Sequence, residues 1–241
     1  MVTYLQLSLT HRTMTPAPSS IAQFLDQTFW APSLTQAQRE RVACEMSERV
    51  VPAGGYACRK AEPVDHWIGV MSGLLKMSSV SPEGKTVTFT GMGPGGWFGE
   101  GSLLKTEVRR YDVVALRESR LAIMPRATFT WLLDTSISFN RFLLLQLNER
   151  LGLFISLVEY DRMLDPDTRV ARCLAALFNP YLNPHNGLQL QISQEEIGYL
   201  CGTSRQRANQ ALQVLEKDGL LSVDYGGITI LNLAGLRLFG T

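Results

Sequence analysis

Glycine is the residue whose distribution most constrains the fold of this chain. Eleven of the 20 glycines lie between Gly54 and Gly101, and short segments of partly alternating apolar and polar residues run between them. Short alternating segments punctuated by Gly and Pro are typical of an antiparallel sandwich or barrel. The strand candidates are residues 66–71, 73–80, 85–92, 111–116 and 120–124. The pattern therefore predicts a β-rich domain over residues 21–134.

The composition of the 241-residue chain is that of an ordinary globular protein, with 45% hydrophobic and 19% charged residues, which excludes wholesale disorder. Lysine and arginine (23) nearly balance aspartate and glutamate (22), so any contact with nucleic acid must rely on charges placed locally. The longest apolar stretch, residues 142–158, contains the polar run 148–150, and we expect no membrane span. Residues 1–20 lack a signal-peptide pattern and are predicted to form a flexible tail.

A second region, residues 135–164, changes to a helical pattern. Two apolar stripes at alternating three- and four-residue steps run along it, which predicts one long helix with two buried faces. The economical arrangement packs one face on the β-rich domain and the other on the same helix of a second copy, although both faces could also be buried within one chain. The residues expected at the dimer interface are Leu144, Leu147, Leu151, Phe154 and Val158.

The third region, residues 165–241, carries the signals of a winged helix-turn-helix. After a hinge at Asp165-Pro166, Ser193 and Glu196 have the spacing of a capping box, and Gly202 marks the end of a short helix. A second capping box is predicted at once, with Thr203 as the N-cap residue of a helix that runs to residue 217. The segment that follows reads as a β-hairpin around Gly226-Gly227, which would be the wing.

The second helix of this motif opens with side chains suited to reading a DNA major groove. Arg bridges guanine, and Asn and Gln bridge adenine, through paired hydrogen bonds to base edges. The candidate DNA-binding residues are Thr203, Ser204, Arg205, Gln206, Arg207, Asn209 and Gln210. We expect Arg205 to contact a base edge. Arg207 lies one residue round from the base-reading face of the helix, and we expect it to contact a phosphate. The alternative is a solvated polar face in a winged-helix domain that binds proteins.

Three stretches in this order resemble the cAMP receptor/fumarate-nitrate regulator (CRP/FNR) family of bacterial transcription factors. They are Gly95-Gly96-Trp97-Phe98-Gly99-Glu100, Leu164-Asp165 at the hinge, and Gln194-Glu195-Glu196-Ile197-Gly198 leading to Gly202-Thr203-Ser204-Arg205-Gln206. The resemblance covers roughly residues 21–235. It implies an α+β fold: an N-terminal antiparallel β-roll of the cyclic-nucleotide-binding jelly-roll type, a long dimerisation helix and a C-terminal winged helix-turn-helix.

The resemblance also implies an effector site in the roll. The matching positions are Gly99 and Glu100, where relatives hold a ribose, and Arg109 or Arg110, where they hold a cyclic phosphate. The small hydroxyl residue expected after the Arg is absent, and Phe154-Ile155 stand where relatives read adenine with hydroxyl side chains. We therefore do not expect cAMP, and the effector stays unknown.

Other cofactors find little support in the sequence. The four cysteines are scattered without a Cys-x-x-Cys pair, which favours reduced thiols in a cytoplasmic protein, and we expect no iron–sulfur cluster and no metal. Haem at His66 is not expected either. Gly91, Gly93 and Gly96 fit the dinucleotide fingerprint literally, but no helix is predicted to follow directly. We do not expect this chain to be an enzyme.

Two functions remain open at this point. The first is a dimeric, sequence-specific DNA-binding regulator that contacts RNA polymerase, recognises a pseudo-palindromic operator and responds to a small effector. The second is a ligand-sensing β-roll module whose C-terminal winged helix mediates protein contacts. Competition between a specific palindrome and random DNA separates them, because only the first predicts a sequence preference.

Overall fold

The computed structural model describes residues 17–84 and 86–240. Most of the predicted tail, residues 1–16, lies outside the described residues, and Ser20 already caps the first helix. The strands of the described part are β1 (Ser47–Val51), β2 (Tyr56–Cys58), β3 (His66–Ser72), β4 (Leu75–Val80), β5 (Thr86–Met92), β6 (Trp97–Phe98), β7 (Asp112–Ala115), β8 (Ser119–Pro125), β9 (Gln189–Leu190), β10 (Leu221–Asp224) and β11 (Gly227–Ile230). The α-helices are α1 (Ile21–Asp26), α2 (Gln36–Glu45), α3 (Glu100–Lys105), α4 (Arg126–Thr135), α5 (Ile137–Met163), α6 (Pro166–Ala176), α7 (Gln194–Leu200), α8 (Arg205–Lys217) and α9 (Leu233–Leu238).

The first eight strands form two antiparallel four-stranded sheets, ordered β1-β8-β3-β6 and β2-β7-β4-β5. Strand β3 shows why so much of this region is apolar. Its Ile68 and Val70 pack into a core between the sheets, whereas Trp67 and Met71 on the opposite face pack into a second core under the helices. Both faces of the strand are therefore buried. The predicted β-roll is confirmed, and its five strand candidates are all strands.

An aromatic cluster joins the roll to the helices around it. The Trp67 and Trp97 rings stack with their centroids 4.1 Å apart, and Trp30, Phe129 and Phe139 meet them edge-on or tilted. The sequence pattern did not predict α2 and α4, two of the helices that cover this sheet. One signal was available, because Thr35 and Gln38 form a complete capping box at the start of α2.

Helix α5 runs from the aromatic cluster to the hinge. One of its apolar faces packs on the roll, as predicted, with Phe139 and Leu143 fully buried. Beyond the hinge, Asp165 caps α6 by accepting from the backbone of Asp167 and Thr168. The helix therefore begins at Pro166, where the missing proline N–H costs nothing.

The C-terminal domain is a helical core with a three-stranded sheet, ordered β10-β11-β9, at its edge. Both predicted helices of the motif are present, as α7 and α8, and so is the predicted hairpin, β10 and β11. The N-cap prediction for α8 was wrong by one residue. Ser204 accepts from the Arg207 backbone N–H at 3.2 Å. The Thr203 N–H is still tied to Gly198 of α7, at 2.9 Å, so the turn ends one residue later.

Candidate DNA-binding helix and effector pocket

The helix-turn-helix is held by its caps and by its apolar faces. The Ser193 hydroxyl accepts from the Glu196 backbone at 3.2 Å, and the Glu196 carboxylate accepts from the Ser193 backbone at 2.6 Å. The apolar positions that join the two helices are all buried: Ile197, Leu200, Ala208, Leu212 and Leu215. Val170, Ala171 and Leu174 of α6 complete this core. The first turn of α8 is thereby fixed on a rigid support.

The polar side chains proposed to read DNA fall into two groups. Four are exposed, at the N-cap of α8 or on the helix itself: Ser204, Arg205, Gln206 and Gln210. Thr203, Arg207 and Asn209 are half-buried. Arg207 forms an ion pair with Asp167 of α6 at 2.8 Å, and Asn209 accepts a hydrogen bond from Gln194 at 2.8 Å. Arg207 is thus held against α6, whereas Arg205 faces solvent.

The wing presents an aromatic side chain at its tip. The hairpin turns between Asp224 and Gly227, which pair across the two strands, and Tyr225 in the turn is fully exposed. Asp224 accepts from the Thr229 hydroxyl at 2.7 Å, which ties the two strands together near the turn. The sequence pattern predicts this wing but gives Tyr225 no role.

In the roll, Glu100 is buried at the start of α3 and is not free. Its carboxylate pairs with the Arg150 guanidinium of α5 at 3.2 Å and accepts from the Trp67 indole at 3.4 Å. Arg150 and Gln146 also donate to the Trp97 carbonyl, at 2.7 and 3.0 Å. Sequence reasoning missed Arg150 and Gln146. Their signal was their place on the roll-facing side of α5, with Gln146 three residues and Arg150 seven residues after Leu143.

The structure distinguishes the two candidate arginines. Arg109 is 4% exposed, donates to the His66 carbonyl at 3.2 Å, and its Nη1 is buried without a hydrogen-bond partner among the described residues. Arg110 points outward and pairs with Glu107 on the surface. Burial raises the pKa of Tyr111 beside them, and the Glu100 carboxylate raises it further. Arg109 is therefore the inward-facing cation, next to Gly99.

The roll also contacts the C-terminal domain directly. Arg117, between β7 and β8, pairs with Glu196 at 2.7 Å and donates to the Gln191 carbonyl. The Gly93 backbone donates to Asn183 at 2.8 Å, and the Lys76 ammonium lies 4.4 Å from the centre of the Tyr199 ring. Glu196 therefore caps α7 and binds the roll at the same time.

Two other kinds of site are absent from the described ranges. No cluster of three or more His, Cys, Asp or Glu side chains is placed to hold a metal ion in residues 17–84 and 86–240. None of the helices described there combines the length and apolar character that a membrane span requires.

Comparisons with known proteins agree with this architecture. Residues 48–136 match the family model for a cyclic nucleotide-binding domain, and residues 168–239 match that for a Crp-like helix-turn-helix domain. The cAMP-activated global transcriptional regulator CRP of Haemophilus influenzae is 29% identical over 155 residues, which are 63% of this chain and 69% of that protein. A CRP-like cAMP-activated global transcriptional regulator of Mycobacterium tuberculosis is 28% identical over 183 residues, 74% of this chain and 81% of the relative.

Solved structures show the same fold. FixK2 from Bradyrhizobium japonicum has a TM-score of 0.69 at 16% identity, over 81% of this chain and 98% of its own. The c-di-GMP responsive regulator CLP of Xanthomonas campestris has a TM-score of 0.59 at 24% identity, over 81% of this chain and 99% of its own. The curated relatives named here are transcription regulators and not enzymes. The chain belongs to the CRP/FNR family of transcription regulators, as its sequence motifs predict.

Proposed function

We propose that this chain is a dimeric, sequence-specific DNA-binding regulator of transcription, controlled by a small anionic effector held in the roll. The observation that carries the DNA-binding part is the exposed first turn of α8. Ser204, Arg205 and Gln206 project from a helix-turn-helix whose two helices are capped and packed on α6. A solvated polar face would also be exposed, so the decisive test is sequence preference.

The dimer is supported by the face of α5 that the roll leaves open. Ile137, Leu144, Leu151 and Val158, seven residues apart, are 73%, 68%, 58% and 52% exposed. A seven-residue repeat of apolar residues is the pattern with which two helices pack in parallel. Of the predicted interface residues, Leu147 is half-buried and Phe154 packs towards the roll core, while Ile155 joins the open face. A second copy would cover this stripe.

The proposed effector is anionic because of the charge inside the roll. Glu100 and Arg150 balance each other, whereas Arg109 is buried with one nitrogen unpartnered among the described residues. An uncompensated buried cation is costly, and a bound anion would remove that cost. Two relatives are named for cAMP and one for c-di-GMP. We do not extend cAMP to this chain, since Phe154 and Ile155 offer adenine no hydrogen bond.

We infer that such a regulator acts in the cytoplasm, where it binds DNA and contacts RNA polymerase. Its two-fold axis requires a pseudo-palindromic site with half-site centres about one helical turn, ~10–11 bp, apart. As working boundaries we keep the roll at residues 21–134, the dimerisation helix at 135–164 and the DNA-binding domain at 165–241.

Selection of binding sites from random DNA tests the proposal. The wild type should enrich a palindrome. Arg205→Ala should cost roughly 1–3 kcal/mol per half-site and relax one symmetric base pair. Arg207→Ala should weaken all sequences alike and flatten the salt dependence. Arg110→Ala is the matched control, because it removes an exposed arginine from the roll and should leave the selected sequence unchanged.

The outcomes separate the alternatives. If the wild type enriches no sequence, the chain is not a sequence-specific regulator and the protein-contact function gains support. If Arg207→Ala changes the consensus while Arg205→Ala only lowers affinity, the roles of the two arginines are reversed.

A further inference from the structure

Two of the four cysteines lie together inside the helix-turn-helix domain. Cys201 follows α7 and Cys173 lies on α6, and their thiols are hydrogen-bonded to each other with Cys201 as the donor. Cys201 is buried in the domain core, whereas Cys173 is half-buried at its edge. Cys44 is exposed on α2, and Cys58 is buried in the roll. The pair is thus distinct from the other two thiols.

The pair faces a cavity that small oxidants can enter. A cleft of about 1040 Å³ lies between β5, the end of α5 and the helix-turn-helix, and both Cys173 and Cys201 line it. Arg169 lines the same cleft, four residues before Cys173 and on the same side of α6. The half-buried thiol therefore lies at the wall of a cavity, beside a guanidinium and a second thiol.

The surroundings assign different roles to the two sulfurs. The hydrogen bond to Cys173 and complete burial hold the pKa of Cys201 well above its ordinary value, so Cys201 keeps its proton. Cys173 is the more exposed of the two thiols, and the hydrogen bond from Cys201 stabilises negative charge on its sulfur. Thiolates and not thiols attack peroxides. Cys173 is thus the attacking thiol, and Cys201 is the thiol that resolves the product.

We propose that Cys173 and Cys201 are a redox pair that hydrogen peroxide converts into an intramolecular disulfide, and that this disulfide lowers DNA affinity. The Cys173 thiolate attacks the peroxide, so that an S–O bond forms, the O–O bond breaks and hydroxide leaves as water after taking a proton. The Cys201 sulfur then attacks the oxidised Cys173 sulfur: an S–S bond forms, the S–O bond breaks, and the hydroxyl leaves as a second water with the Cys201 proton. The two sulfurs lose two electrons and the peroxide gains them.

The position of Cys201 links this chemistry to DNA binding. Its backbone N–H donates to the Ile197 carbonyl at the end of α7, and the turn to Ser204 and Arg205 begins directly after it. A disulfide requires the sulfurs to approach to about 2 Å. A packed core absorbs such a movement only by shifting its neighbours, and we expect the turn after Cys201 to be among them. We expect a loss of roughly tenfold in affinity for a specific site, comparable to one lost base contact.

The experiment uses the full chain with Cys44→Ser, which removes the exposed thiol that would link two molecules. The reduced protein is treated with hydrogen peroxide, then examined by intact mass, by peptide mapping and by fluorescence anisotropy with its selected DNA site. We expect the loss of two hydrogen masses, a peptide linking residues 173 and 201, and a tenfold weaker complex that a thiol reductant restores. Adding Cys173→Ser should abolish the response, whereas the matched change Cys58→Ser should leave it intact.

Two results would overturn the proposal. One is a protein that gains only oxygen masses while Cys201 remains open to alkylation after denaturation. The other is a disulfide that forms without changing DNA affinity. The effect on DNA affinity rests on the proposed function. If the proposed function itself is wrong, the reduced protein selects no DNA sequence, which distinguishes that failure from a failure of the redox proposal. In that case the intact mass would still show whether the disulfide forms, and hydrogen exchange at residues 203–207 would still show whether its formation moves the turn.

Discussion

Replacing Arg150 by methionine tests whether its ion pair with Glu100 balances charge inside the roll. The Glu100 side chain is 3% exposed and that of Arg150 is 15% exposed. Arg150→Met leaves the carboxylate with the Trp67 indole at 3.4 Å and removes a 2.7 Å hydrogen bond to the Trp97 carbonyl. Breaking a buried ion pair from one side costs about 3–5 kcal/mol. We expect this loss in the free energy of unfolding of the roll.

Tryptophan fluorescence during urea denaturation measures this loss where it occurs. All four tryptophans lie in or against the core between the roll and its helices: Trp30, Trp67, Trp97 and Trp131. Their signal therefore reports the roll separately from the helix-turn-helix domain, which matters because a chain of several domains need not unfold in one step. Arg110→Met is the control. It breaks a pair whose side chains are 71% and 36% exposed, and it should cost about 1 kcal/mol or less.

A double substitution decides whether the cost comes from the uncompensated carboxylate. Glu100→Gln combined with Arg150→Met leaves no charge of this pair behind, and we expect it to recover much of the stability lost in Arg150→Met alone. If the double variant loses as much free energy of unfolding as the two single variants together, the two side chains are not coupled. A loss below about 1 kcal/mol in Arg150→Met would show that the pair contributes no more than a surface ion pair.

Three further predictions concern assembly, ligand choice and backbone strain. Leu151→Asp should convert the dimer to monomers in sedimentation, because it places two like charges in an apolar seam. Leu104→Asp, at an exposed position of α3, should not, and a monomeric wild type at micromolar concentration would contradict the dimer. Titration calorimetry should detect no cAMP binding at physiological concentrations, and a sub-micromolar Kd would overturn the reasoning from Phe154 and Ile155. Gly202→Ala should cost about 1 kcal/mol in thermal unfolding, because Gly202 has φ +63° although there is open space for the added methyl group. The matched Gly152→Ala in α5, also with open space, should instead gain about 0.5–1 kcal/mol.

Local signals predicted most of the elements but could not fix every boundary. The Ser193–Glu196 capping box is complete in the structure, since a cap depends on four consecutive residues. At the next helix two hydroxyl residues stand side by side, and either fits an N-cap. Ser204 takes the role only because Thr203 remains bonded to Gly198 in the preceding helix. The choice depends on the turn geometry, which the sequence pattern does not contain.

The effector site also depends on contacts that the local sequence pattern does not contain. Arg109 and Arg110 are adjacent in the irregular segment before β7, yet the first side chain is buried and the second exposed. The pattern indicates both and leaves the choice open. The partner of Glu100 was harder still to predict, because Arg150 comes from α5, 50 residues later in the chain, and only the packing of that helix on the roll brings it there.

The glycines that predicted turns in the roll also allow the two domains to meet. A Cβ atom on Gly91 would lie 2.8 Å from Leu177, and one on Gly96 would lie 2.7 Å from the Leu182 carbonyl. Residues 177–186 of the C-terminal domain therefore rest on a glycine-rich edge that admits no side chain. Because Arg117 holds Glu196 beside this edge, the roll and the cap of α7 are joined by a second connection besides α5. The fingerprint at residues 91–96 is thus explained by domain packing, and β6, not a helix, follows it.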